Sequence, residues 1–134
     1  MKRKYLPTFG ELIDRLSICQ LKEIFISEDK DKYAEMIKDI VHDLDLIIKE
    51  KGHELNGEMI RAIVVLSQMN LHIWHNESNA RKGIDEGNNL KLTHGLNGIR
   101  LIATNVIQNC TSGRTDKKAD CIAADKVEGW EISW

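Results

Sequence analysis

The chain is short of the features that usually settle a function early. It has a single proline, Pro7, and only 5% of its 134 residues are aromatic. Few breakers and no alternating strand pattern before the C-terminus favour long helices over a sheet. No apolar run approaches a membrane span and no signal-peptide pattern opens the chain. No charge of one sign dominates: the formal net charge is −2. A double-stranded nucleic-acid binder would carry a basic stripe, and none is present. The three cysteines, Cys19, Cys110 and Cys121, form no CxxC pair, which points to reduced thiols in a cytoplasmic protein. Without a leader, the glycosylation patterns at Asn76 and Asn109 read as chance matches. No glycine-rich phosphate loop follows a strand, and no serine sits on a nucleophile turn.

What is present is helical period. At this length the chain is expected to form one domain, all-α, a bundle of four main helices with a C-terminal tail docked on it. Residues 1–110 are assigned to the bundle and 111–134 to a linker and tryptophan-rich tail. Thr8 and Glu11 form a capping box after Pro7, so helix one starts there and runs to about Ile26. Its apolar stripe is Leu12, Leu16 and Cys19, widened by Ile13, Leu21, Ile24 and Phe25. After a restart at Ser27–Asp29, helix two shows Tyr33, Ile37, Ile40, Leu44 and Ile47 on one face, and Gly52 is placed to cap its end. Its charged face is a solvated surface. Helix four is expected from about Leu90 to Asn109, after a loop from Gly83 to Asn89. The segment Thr111 to Lys118 reads as linker, and Asp120 to Asp125 as a short turn. The last residues alternate so that Trp130, Ile132 and Trp134 share one side if extended.

The informative stretch is helix three, Met59 to Arg81. Met59, Ile63 and Leu66 repeat at core spacing, and the same stripe continues through Asn70, Trp74, Glu77 and Arg81. An amide, an acid and a guanidinium thus stand where a core should continue. Buried polar groups are costly unless paired, so the stripe is expected to line a polar site. Helix four repeats the pattern: Thr93, Asn97, Arg100 and Thr104 form a polar stripe, with His94 beside it and Gly95 and Gly98 within it. Helix one adds Glu11, Asp14, Arg15 and Lys22 along one strip.

These residues support two functional classes. In a binding module, Arg81 and Arg100 grip phosphate in bidentate fashion. Asn70 and Asn97 then read a base or ribose, Trp74 stacks, and Arg15, Lys22, His75 and His94 add donors. Glu77 orients an arginine in that reading. In a pyrophosphohydrolase, Glu11, Asp14 and Glu77 hold Mg2+, which takes oxygen ligands in octahedral geometry. The second pair of acids fails, because Ser78, Asn79 and Ala80 follow Glu77. A third reading is structural: Glu77, Arg81 and Arg100 form a buried ion network that fixes helix register. The inventory fits capture better than cleavage, so whether the protein is an enzyme stays open. The partner expected is a phosphorylated small molecule, with nucleotide the favoured class, and a homo-oligomer, a dimer by preference, would cover the tail tryptophans.

The residues Gly10-Glu11-Leu12-Ile13-Asp14-Arg15-Leu16-Ser17-Ile18, followed by Leu21-Lys22, resemble the opening helix of a family of small helical domains of unknown function. The set Asn70, Trp74, Glu77 and Arg81, and the run Leu96-Asn97-Gly98-Ile99-Arg100, resemble that family's later helices. The resemblance covers roughly residues 8 to 107. It implies a phage-type member acting in the host cytoplasm, and with it a counter-defence role sequestering a host signalling nucleotide. The family usually has a second acid after the position of Glu77, where this chain has Ser78. More distantly, the architecture is similar to all-α MazG-type nucleotide pyrophosphohydrolases, which hold magnesium with two helical pairs of acids.

Overall fold

A computed structural model describes residues 2–111 and 127–134. Among these residues there are four α-helices and no strand. They are α1 (Phe9–Phe25), α2 (Lys30–Lys51), α3 (Gly57–Arg81) and α4 (Glu86–Cys110), with a 3-10 turn at Ser27–Asp29 between the first two. The expected all-α bundle with a docked tail is what forms.

Local chemistry explains each boundary. The capping box at the start of α1 is complete: Thr8 Oγ1 accepts from the Glu11 amide, and Glu11 accepts from the Thr8 amide. Gln108 of α4 reinforces it, accepting from the Gly10 amide at 2.9 Å and donating to the Thr8 hydroxyl. Gly52 ends α2 at φ 65°, the left-handed conformation that glycine adopts without strain. Asn56 caps α3 by accepting from the Met59 amide at 2.8 Å.

The one displaced boundary is the start of α4. The segment expected as loop to Asn89 is already helical from Glu86. Asp85 takes a left-handed φ of 41°, and the Asn88 amide donates to its carboxylate. Asn89 Nδ2 donates to the Ile84 carbonyl at 2.7 Å. These bonds, all within residues 84–89, tie the connection to the first turn of α4.

The core lies between α1, α3 and α4. Met59, Leu66, Met69, Leu96 and Ile107 are essentially inaccessible to water, each contributing about 2 kcal/mol through burial. Ala62 and Ala103, also at 0% exposure, let α3 and α4 approach closely. α2 differs. Its backbone packs on α1 and on neither α3 nor α4, and of its 22 residues only Ile40 and Leu44 are buried. It stands as an outrigger, leaving a cleft between itself and the rest.

The tail from Val127 to Trp134 docks along the bundle. Val127 lies against Gly95, where any side chain on α4 would collide with it. Trp130 meets His72 edge-on, with ring centroids 4.7 Å apart, and Trp130 and Ile132 pack on the core. Arg61 donates to the Ser133 carbonyl at 2.7 Å and lies over Trp134. Trp134 stays half-exposed while Trp130 and Ile132 are partly buried, so the expected apolar side of the tail is covered only in part. The linker beyond Thr111, the expected turn at Asp120–Asp125 and Cys121 lie outside the described residues.

Gly95→Ala should evict Val127 and loosen the tail while leaving helix content unchanged. Tryptophan emission should shift to the red and C-terminal proteolysis should accelerate. Unchanged emission and proteolysis would show that the tail does not depend on this contact.

Candidate functional site

The polar residues converge on α1. Asp14 stands one turn inside α1, on the side facing α4. Arg100 reaches it from α4 as a two-pronged pair: Nε donates to Asp14 Oδ1 at 2.9 Å and Nη2 to Oδ2 at 2.6 Å. This is the strong form of a guanidinium–carboxylate contact. Asn70, buried on α3, donates from Nδ2 to Asp14 Oδ1 at 2.9 Å and to Ser17 Oγ at 3.2 Å. Arg100 Nη1 donates to Asn97 Oδ1 at 3.2 Å. Three helices thus meet through one carboxylate.

The electrostatics follow from partial burial. Desolvation alone would lower the Arg100 pKa. The hydrogen bonds and charge of Asp14, with the more distant charge of Glu77, outweigh it and raise the pKa. A raised basic pKa means that the pair's stabilisation is complete below the ordinary arginine range. Arg100 is therefore charged throughout the neutral range.

The pair forms the inner wall of a cleft of about 410 Å3 between α1, α2 and α4. Pro7, Glu11, Asp14, Arg15, Ile18, Cys19, Lys22, Met36 and Arg100 line it. Five expected site residues meet here: Glu11, Asp14, Arg15, Lys22 and Arg100. Among the described residues the ion pairs are Asp14–Arg100 and the exposed His42–Asp43 contact. Arg15 and Lys22 therefore face the cleft without an acidic partner. Lys22 Nζ lies 5.7 Å from the Tyr33 ring centroid, a cation–π distance.

Other expected site residues lie elsewhere. Arg81 is exposed at the end of α3 and takes no part in the network. The buried face of α3 is centred on Ala62, Met69, Ile73 and Ala80, about one residue's rotation from the stripe read through Arg81. Trp74 and His75 turn to Phe25, at centroid distances of 6.0 and 5.5 Å, instead of facing the cleft. His94 lines a separate, largely apolar depression with Leu92, Gly95 and Val127. Asn97 serves Arg100, and Glu77 acts on Arg100 through charge alone.

The metal set fares worse. Among the described residues, no group of three or more His, Cys, Asp or Glu side chains is placed to hold an ion. Glu11, Asp14 and Glu77 do not form one. Both Asp14 oxygens accept from Arg100, and Glu11 accepts from the Thr8 amide.

Sequence reasoning missed Ser17, Met36 and Gln108. Gln108 continues the stripe Asn97, Arg100, Thr104 by one more step of four, a signal that was there to read. Ser17 follows Asp14 by three on the same face. Met36 had no signal, because only the α1–α2 hairpin brings it to the cleft. Two buried polar atoms, Asn76 Nδ2 and Thr93 Oγ1, have no hydrogen-bond partner among the described residues, and Thr93 stands on the polar stripe read along helix four. Comparison with protein-family models, with curated proteins and with solved structures finds no match. The functional reading therefore rests on geometry.

Asp14→Leu should destabilise the protein by about 2 kcal/mol, between the values for exposed and buried pairs, because it strands the Arg100 guanidinium. Side-chain exposures of 18% for Asp14 and 30% for Arg100 place the pair between those limits. Asp14→Leu/Arg100→Met should recover most of that loss in urea unfolding. A double variant no more stable than the single would show that the pair is not a coupled unit.

Proposed function

We propose that the protein binds a phosphorylated small molecule in the α1–α2–α4 cleft and does not cleave it. The observation that carries this reading is the contrast between committed and uncommitted cations. Arg100 is held by Asp14 and forms a rigid wall. Arg15 and Lys22 line the same space and form no ion pair among the described residues. Arginine supports bidentate contact with a phosphoryl group, and lysine supplies a mobile point charge. A wall held in place before the ligand arrives reduces the ordering cost of binding.

The choice of capture over hydrolysis follows from the carboxylates. Metal-assisted cleavage of a phosphoanhydride needs acids free to coordinate. Here Asp14 is spent on Arg100 and Asn70, and Glu11 on the helix cap. A nucleotide is the favoured ligand class. In a phage-type protein, such binding would take the form of sequestering a host signalling nucleotide.

The test is incubation with mixed ribonucleoside mono-, di- and triphosphates and Mg2+, followed by gel filtration and heat denaturation. Intact nucleotide should be recovered from the protein fraction. Arg15→Ala or Lys22→Ala should reduce the amount at least about tenfold, the loss of one charge-assisted contact of about 1.5 kcal/mol or more. Arg81→Ala should bind as the parent does. Accumulating monophosphate at turnover rates would establish the pyrophosphohydrolase instead.

A further inference from the structure

The lining of the cleft changes character along α1. Arg15 stands at one end and Lys22 at the other, seven residues and about 10 Å of helix rise apart. Between them the wall is Ile18 and Cys19, and Met36 lines the same stretch from α2. The order is cation, apolar surface, cation.

Tyr33 of α2 flanks the Lys22 end. Lys22 and Lys32 both lie over the Tyr33 ring, their ammonium nitrogens 5.7 and 5.6 Å from its centroid. At the other end Arg15 offers a planar fork for a second anion. Glu11 also lines the cleft, one turn before Arg15, and disfavours further negative charge beyond it.

A contiguous polyphosphate does not suit this order. A phosphate laid over Ile18, Cys19 and Met36 would lose water and gain no donor, which is costly for a charged group. An uncharged body that turns carbon surface to this stretch gives up no charge solvation and buries carbon. We infer that the cleft takes a ligand with two separate phosphoryl groups held apart by an uncharged body, as the ribose holds them apart in nucleoside 3′,5′-bisphosphates. This inference rests on the binding reading above and narrows its ligand class.

Titration calorimetry of the full chain against three probes tests it: a nucleoside 3′,5′-bisphosphate, the 5′-diphosphate and the 5′-monophosphate, each in adenosine and guanosine form. The bisphosphate should bind at least tenfold more tightly than the diphosphate, which carries the same number of phosphoryl groups. Arg15→Ala and Lys22→Ala should each bring the bisphosphate down to the affinity of the monophosphate. Both side chains stand on the cleft surface, and circular dichroism checks that the variants fold. A diphosphate or monophosphate that binds as tightly as the bisphosphate overturns the two-ended arrangement and leaves the binding reading standing. So does a bisphosphate whose affinity either variant leaves unchanged. If none of the six probes binds, the binding reading fails and this inference falls with it.

Discussion

One carboxylate organises the interior polar half of this protein. Asp14 receives two hydrogen bonds from Arg100 of α4 and one from Asn70 of α3. The arrangement is expensive to assemble, since an acid, a guanidinium and an amide all lose water. It persists because each loss is matched by a directed partner, with Ser17 and Asn97 taking up further donors. Such a network contributes little net stability against an apolar replacement, yet it is intolerant of a missing member. It holds α1, α3 and α4 in one register, so that the face of α1 beyond Asp14 is presented in a fixed orientation.

That face matters because of what α2 does not do. Having its backbone against α1 alone, α2 leaves a gap where a fully packed four-helix bundle would have a seam. Arg15 and Lys22 line that gap and form no ion pair among the described residues, while Arg100 is paired with Asp14. The cleft is therefore neither an apolar defect nor an ion network alone. It combines a rigid back wall, an apolar middle and a cationic rim. This division of labour makes capture of an anionic ligand a better account than metal-assisted cleavage, for which the acids are otherwise engaged.

Much of the architecture was legible in the chain. The capping box at Thr8 and Glu11 and the stop at Gly52 are local chemistry, and local chemistry decides helix ends. Asn70 could be singled out because a polar residue on an otherwise apolar stripe must find a partner, and Asp14 and Arg100 because each stands on a polar strip of its own helix. Which partner each would take was not legible, since that depends on how far each helix is rotated. The stripe through Ile63, Trp74 and Arg81 counted large apolar residues and passed over Ala62 and Ala80. Both are buried, Ala62 completely, and they show that the covered face lies to one side of that stripe. Moving the face by about one residue's rotation keeps Asn70 inside, leaves Glu77 at the margin and puts Arg81 in water. The early start of α4 was hidden for a related reason. Gly83 to Asn89 has the composition of a loop, yet Asn88 and Asn89 bond back to Asp85 and Ile84 and let α4 begin within it.

The most direct measurement is side-chain 15N NMR of the arginine Nε–H groups during titration with a nucleoside phosphate. The account predicts that the Arg100 signal exchanges slowly with water and hardly moves, being fixed on Asp14, while the Arg15 signal shifts and sharpens as ligand binds. A ligand that binds while leaving Arg15 unmoved, or an Arg100 signal lost to fast exchange in the free protein, would contradict it.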